Sequence, residues 1–144
     1  MKDPIIFHLA IPINDIKLAK TFYCVGLGCE VGRENTTAII FNFWGHQVVA
    51  HMTPEPLIPP KSIYPRHFGL IFSHQSQWEA ILARGQEREL SFYQQPKVRF
   101  PGQLTEHRTF FLQDPFYNLL EFKWYRHREA IFGDGDETAI GDTP

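Results

Sequence analysis

The stretches FHLAIPI at residues 7–13 and RHFGLIF at residues 66–72 are two copies of one pattern, and this repeat decides the fold. Each copy places a histidine, His8 or His67, at the start of an apolar strand. A polar turn and a helical pattern with an apolar pair follow each copy. A repeat of this size in a short chain predicts one supersecondary unit used twice. The functional question is therefore what the two halves hold between them.

Length and composition predict one domain. The 144 residues are 43% hydrophobic and 15% aromatic, which is enough for a packed core. The formal net charge of −2 leaves no basic excess, so we expect neither nucleic acid nor a membrane surface as a partner. Without a long apolar run or a secretion-type N-terminus, a cytoplasmic protein is the default expectation. Cys24 and Cys29 lack histidines at zinc-finger spacing and are expected to be free packing residues.

The first half is predicted to be a βαβββ module over residues 5–52. Residues 5–13 alternate like a strand, Asn14-Asp15 offers a helix N-cap, and Gly26 or Gly28 supplies the helix end. Three further strands are predicted with short turns between them: CEVGRE, TAIIFNFW and HQVVAHM.

The second half, residues 66–125, is predicted to repeat this order after a proline-rich linker at residues 53–65. Its elements are expected to be a strand over 66–73, a helix over 75–84 closed by Gly85, a strand near 90–93, a loop to 104, and strands over 108–113 and 118–125. The tail, residues 126–144, is expected to fray or to dock only through Ile131-Phe132.

Residues of metal-ligand type occupy equivalent places in the two predicted modules. His8 and His67 open the first strand of each module, and His51 and Glu121 lie in the last strand of each. Imidazole with carboxylate suits a divalent ion such as Fe, Mn, Co, Ni or Zn. A lone histidine among apolar residues is more often a core or strand-edge group. A carboxylate inside LLEFKW is rarely tolerated in a sheet without a partner, however, so the set as a whole predicts a metal site.

Two longer stretches resemble the vicinal oxygen chelate superfamily, which includes glyoxalases, fosfomycin-resistance transferases, bleomycin-binding proteins, methylmalonyl-CoA epimerases and extradiol ring-cleaving dioxygenases. FHLAIPINDIKLAKTFYCVGLG is similar to the family's opening histidine strand and helix, and FFLQDPFYNLLEF to its F-x-D-P-x-G-N-x-x-E motif. The resemblance covers residues 5–125. It implies an α+β fold in which two βαβββ modules pair into a half-barrel cleft, with metal ligands at His8, His51, His67 and Glu121.

Three departures from the family pattern bear on function. Tyr117 stands where the D-P-x-G turn has glycine. Phe111 stands where extradiol dioxygenases carry a tyrosine, and a phenyl ring cannot transfer a proton. His51 stands where four-ligand glyoxalases usually carry glutamate, which leaves Glu121 as the only ligand carboxylate able to act as a base. His107 is a second candidate for proton transfer, since it shares strand parity with Phe111; a surface-loop histidine is the alternative reading.

Three functions remain open on this sequence. The favoured one is a metal-dependent lyase or isomerase of the glyoxalase kind, acting on a small substrate that chelates the ion through two oxygens. The second is an Fe(II) extradiol-type dioxygenase that leaves His51 unbound. The third is a metal-free binding or resistance protein on the same fold. We also expect a homodimer, because each module leaves an exposed sheet edge.

Overall fold

The computed structural model describes residues 3–133 and 138–142, and these fall into two compact units. The described part of unit 1 is residues 3–62 with 114–118, and that of unit 2 is residues 63–113 with 119–133 and 138–142. Each unit contains one four-stranded mixed sheet with its helix in the βαβββ order. The predicted α+β fold of two βαβββ modules is confirmed.

Unit 1 has its strands in the spatial order β1-β4-β3-β2, with β1 parallel to β4 and the other pairs antiparallel. Its elements are β1 His8–Ile13, α1 Ile16–Lys20, a π-helical segment Thr21–Gly26, β2 Glu30–Glu34, β3 Ala38–Phe43 and β4 His46–Met52. As expected, Asp15 caps α1, because its side chain accepts from the Leu18 N–H. Gly28, with φ of 87°, follows the helical run and turns the chain into β2.

The core of unit 1 lies between its helical segment and one face of its sheet. Tyr23 is fully buried there and stacks on Phe41 with ring centroids 4.9 Å apart. The Tyr23 hydroxyl donates to Asp114 Oδ2 at 2.7 Å, in the turn between the last two strands of the chain. Tyr117 of that turn has φ of 67°, so a tyrosine takes the left-handed conformation that favours glycine.

Unit 2 repeats the spatial order as β5-β8-β7-β6. Its elements are β5 Phe68–Phe72, α2 Gln75–Glu87, β6 Phe92–Arg99, β7 His107–Gln113, β8 Leu119–Tyr125 and a 3-10 turn Arg128–Ile131. The core packs α2 on one sheet face, where Trp78 donates its indole N–H to the Phe122 carbonyl at 2.8 Å. The opposite sheet face, which carries Glu121, is called the helix-free face below.

Two predicted boundaries in unit 2 are wrong. Helix α2 does not end at Gly85: it continues to Glu87, and Gly85 is a buried helix residue whose missing Cβ leaves space for the Phe92 ring. Strand β6 does not end near residue 93 but runs to Arg99 through Pro96. A proline is tolerated there because β6 is an edge strand, with register shifts between residues 92 and 97.

The tail does not dock as predicted. Phe132 is 101% exposed, whereas Ala130 of the 3-10 turn is buried. Asp142 instead forms ion pairs with Lys97 and Arg99 of β6, so the described end of the tail docks through charge. Among the described residues, no helix is long and apolar enough to span a membrane.

Candidate functional site

His67 and Glu121 meet on the helix-free face of unit 2. Glu121 lies in β8, opposite Gly69 of β5 and Phe111 of β7, and His67 directly precedes β5. His67 Nε2 is 3.1 Å from Glu121 Oε1. The structure therefore brings together two of the four predicted metal ligands.

The carboxylate of Glu121 is buried and fully engaged. Thr109 Oγ1 donates to Glu121 Oε2 at 2.5 Å, and Arg99 Nη1 donates to the same oxygen at 3.2 Å. The Glu121 side chain is only 7% exposed, so these partners compensate a charge that burial would otherwise disfavour. Oε2 is held by the protein, and Oε1 is the oxygen turned to His67.

The hydrogen bonding of His67 defines what its second nitrogen can do. Nδ1 lies 2.7 Å from the Ile63 carbonyl oxygen, which can only accept, so Nδ1 carries the hydrogen. In the neutral ring Nε2 then presents a lone pair to a carboxylate oxygen. That contact is favourable only with a cation at Nε2, either a proton or a metal ion. A ligand histidine whose other N–H donates to a backbone carbonyl is the usual metal-site arrangement, so these residues fit a metal.

The pKa values of this pair move in opposite directions. The hydrogen bond with Glu121 raises the pKa of His67, against an opposing effect of burial. Burial raises the pKa of Glu121, but the contacts with His67, Lys123, Thr109 and Arg99 together outweigh it and hold that pKa below its ordinary value. Glu121 therefore stays ionised, as a metal ligand must, and its lowered pKa makes it a weaker proton acceptor.

Phe111 forms the apolar wall beside His67. Its ring lies edge-on to the imidazole, with centroids 5.0 Å apart, and the residue is fully buried. The Arg99 guanidinium carbon lies 6.0 Å from the same ring centroid. No hydroxyl is available at this position.

His107 does not lie beside Glu121. It pairs with Tyr125, whereas Glu121 pairs with Phe111, four residues along β7 and thus about 13 Å away at roughly 3.3 Å per residue. Its Nδ1 donates to the Thr105 carbonyl at 3.0 Å, and burial lowers the pKa of His107. The predicted role of His107 in proton transfer beside Glu121 is not compatible with this placement.

His8 and His51 lie in unit 1, at opposite ends of one strand pair. His8 is opposite Gln47, and His51 is opposite Pro12, again about 13 Å further along at roughly 3.3 Å per residue. Imidazoles that stand out from a sheet at this separation cannot reach one ion, which needs both nitrogens at about 2.1 Å. A shared ion for His8 and His51 is therefore excluded by the register, and His8 Nδ1 instead contacts Gln47 Oε1 at 2.7 Å.

Two residues of these sites were missed by reasoning from the sequence. Arg99 fell in a predicted loop, and only its alternation with Lys97 in an extended strand would have placed it on the face of Glu121. Gln47 lies at the level of His8, and correct parallel pairing of β1 with β4 would have shown it. Within residues 3–133 and 138–142, no group of three or more His, Cys, Asp or Glu side chains is placed to hold a metal ion.

A βαβββ unit used twice, with a histidine opening each half and a carboxylate on the last strand, defines the vicinal oxygen chelate class of proteins. The profile of the Glyoxalase/Bleomycin resistance protein/Dioxygenase superfamily matches residues 5–122, and the chain belongs to this family.

Solved structures of the family agree with this assignment. A glyoxalase/bleomycin resistance protein/dioxygenase from Alicyclobacillus acidocaldarius is 39% identical, with a TM-score of 0.85 over 91% of this chain and 99% of that one. The fosfomycin resistance protein FosX from Listeria monocytogenes is 13% identical, with a TM-score of 0.64 over 86% and 94%. Lactoylglutathione lyase from Agrobacterium tumefaciens is 18% identical, with a TM-score of 0.64 over 85% and 96%. The latter two show the fold alone. Curated protein sequences gave no match.

Proposed function

We propose that this chain is a divalent-metal-dependent lyase or isomerase of the glyoxalase kind, acting on a small substrate that chelates the ion through two oxygens. The proposed ligands are His67 and Glu121, which meet in unit 2, with His8 as a third ligand that rests on the sequence pattern alone. The observation that supports the proposal best is the orientation of His67, whose Nε2 faces Glu121 Oε1 at 3.1 Å while Ile63 holds its Nδ1–H. This pair offers one nitrogen and one oxygen donor to a divalent ion.

The surrounding residues have distinct parts in this proposal. When bound, the ion supplies Lewis-acid polarisation of a substrate carbonyl. Thr109 and Arg99 bind Glu121 Oε2 and so keep Oε1 directed at the ion position. Phe111 packs against the His67 ring, fixes its orientation and excludes water from that side. Glu121 is a weak base because its pKa is lowered, and His107 lies too far along the sheet to exchange a proton with it.

Metal binding is the first test of this function. Protein purified without a chelating tag is expected to retain Ni, Co, Mn, Zn or Fe(II) after dialysis. His8→Ala, His67→Ala and Glu121→Ala should each weaken binding by more than about 100-fold, since loss of an outer partner alone costs about 10- to 100-fold. His51→Ala is the matched control, an exposed histidine of the same sheet as His8, and should bind metal like the wild type. Undiminished metal content in any of the three ligand variants would contradict the proposed metal site.

Reaction type is the second test, and Phe111 supports the choice between the two enzyme classes. We expect protein loaded with Ni, Co or Mn to catalyse exchange in D₂O of the hydrogen beside a chelated carbonyl, followed by NMR on small α-hydroxycarbonyl compounds. With Fe(II) and catechols we expect no yellow ring-fission product, because a phenyl ring occupies the place of the dioxygenase tyrosine. Oxygen uptake coupled to loss of catechol would replace this proposal with the dioxygenase.

A further inference from the structure

Arg99 is a buried cation with carboxylate partners on two sides. Its side chain is only 5% exposed. Nη1 donates to Glu121 Oε2, while Nε and Nη2 donate to the two carboxylate oxygens of Asp142, each at 3.2 Å. The contact with Asp142 is bidentate, the geometry in which a guanidinium binds a carboxylate or a phosphate. One edge of the Arg99 guanidinium thus binds Glu121, and the other edge binds the carboxylate of Asp142.

Lys97 completes the surroundings of that anion. Its Nζ lies 3.2 Å and 3.4 Å from the two oxygens of Asp142, so both cations contact the same carboxylate. Lys97 and Arg99 are two residues apart in β6 and share the helix-free face. The Asp142 side chain is 44% exposed, in contrast to the buried Arg99. The cations are therefore part of the sheet, and the carboxylate reaches them from the solvent side.

The segment that carries Asp142 forms one side of a groove. The groove has a volume of about 470 Å³ and is lined by residues 97–100 together with Ala139, Gly141 and Asp142. The groove is open to solvent and has ample room for a small anion. The Asp142 N–H donates to the Tyr64 hydroxyl at 2.9 Å.

The charges of the helix-free face favour an anion even with the tail in place. Lys97, Arg99 and Lys123 lie on this face, and Glu121 is the acidic residue of its four strands. Without Asp142 this face would carry one more uncompensated positive charge, at the guanidinium edge that now binds the Asp142 carboxylate. Burial raises the pKa of Asp142, but the contacts with Lys97 and Arg99 together outweigh it and hold that pKa below its ordinary value.

We propose that Arg99 and Lys97 form an anion-binding site next to Glu121, that it takes the carboxylate or phosphate group of a small molecule, and that Asp142 of the same chain occupies it until such a ligand displaces the tail. The site needs no metal. The proposal therefore stands or fails separately from the metal-dependent function.

The test is a calorimetric titration of the metal-free, full-length protein with inorganic phosphate and, separately, acetate. We expect Asp142→Asn to bind phosphate severalfold more tightly than the wild type, because the competing carboxylate is gone. Glu129→Gln, which changes an exposed carboxylate of the same C-terminal segment, should leave the affinity unchanged. Acetate binding with the same dependence would identify a carboxylate site, whereas phosphate binding alone would identify a phosphate site.

Two further measurements locate the ligand. Lys97→Met in the Asp142→Asn background should remove most of the gain in phosphate affinity, and Arg99→Lys should reduce it because lysine cannot form the bidentate contact. In the wild type, phosphate should speed hydrogen exchange of the Asp142 amide as the tail is released. Equal affinity of wild type and Asp142→Asn for both anions, no binding of either anion by either protein, or a gain that survives Lys97→Met would each overturn the proposal.

Discussion

Tyr23 shows what a single buried hydroxyl contributes. The residue is fully buried, and its hydroxyl donates to Asp114 Oδ2 at 2.7 Å. The other carboxylate oxygen accepts from the backbone N–H groups of Phe116 and Asn118. Burial, followed by the nearby Asp114 charge, raises the pKa of Tyr23 well above its ordinary value of 10.0. Tyr23 therefore stays protonated in the folded protein at a pH where it ionises in the unfolded chain.

This leads to a prediction for Tyr23→Phe. We expect a loss of about 1 to 3 kcal/mol in unfolding free energy at neutral pH, because Asp114 loses a buried donor. The folded-state pKa is raised, so the contribution of Tyr23 is complete below pH 10.0 and declines as the pH rises above it. Urea unfolding of both proteins from neutral to alkaline pH measures the difference. A difference that stays constant through pH 10.0 would contradict the assignment.

Individual site residues could be predicted only where their chemistry was unusual for their position. Glu121 stood out as a carboxylate in an apolar strand, and the structure explains it through Thr109 and Arg99. His51 and His107 were misplaced because strand parity identifies the face of a residue but not its level along the strand. That level depends on pairing register, which local sequence does not specify.

At the scale of elements, the pairing of β5 with β8 depends on Gly69. The two strands approach so closely that a Cβ on Gly69 would lie 1.6 Å from the Glu121 carbonyl oxygen. Any side chain at this position must move the backbone of β8 at the residue that binds His67. Glycine is thus required at position 69 because two strands approach closely there, and not because the backbone turns.

Gly69→Ala is therefore expected to be strongly destabilising. We predict a loss of more than about 3 kcal/mol in unfolding free energy, a size that marks a specific structural conflict. Gly133→Ala is the matched control, because a Cβ there meets no atom within 4 Å, and it should change stability by less than about 0.5 kcal/mol. Denaturant unfolding of both variants measures this. Wild-type stability of Gly69→Ala would show that β5 and β8 are not as close as described.

Element boundaries were predictable where local signals agreed with packing. Asp15 and Gly28 marked the limits of the first helical run correctly, since capping is a local property. The boundaries predicted at Gly85 and before Pro96 were wrong because packing, and not the local signal, determines the structure at these positions. Gly85 lies inside α2 because Phe92 needs the space, and Pro96 lies inside β6 because an edge strand can lack a donor.

At the scale of the whole molecule, the repeat made the fold predictable. The strand and helix patterns are weak in each half alone, but they recur in the same order and so support each other. Together they predicted two modules, and the two four-stranded sheets confirm this prediction. The tail was not predictable in this way, because it has no counterpart in the first half. Its docking depends on two cations that only the strand alternation of β6 brings together.

Each sheet ends in edge strands, and this supports the prediction of a homodimer. β1 is an edge of the first sheet, and the apolar residues Ile5 and Ile6 just before it are 93% and 60% exposed. Exposed apolar segments at sheet edges tend to be covered by a partner. Sedimentation at tens of micromolar should show a dimer, and Ile5→Lys should weaken it. Ile58→Lys, at another exposed isoleucine, serves as control. A monomer at that concentration would refute the prediction.

The attachment of Asp142 to the chain it blocks has a consequence for what the anion site can sense. A tethered group acts at a fixed effective concentration, of millimolar order for short flexible tethers, and dilution of the protein does not change it. A free anion of similar affinity must exceed that effective concentration to displace Asp142. Simple acids at low concentration would therefore not displace Asp142. A ligand that also contacts residues near Glu121 would displace it at a much lower concentration. The tail would set a selectivity threshold that is independent of how much protein is present.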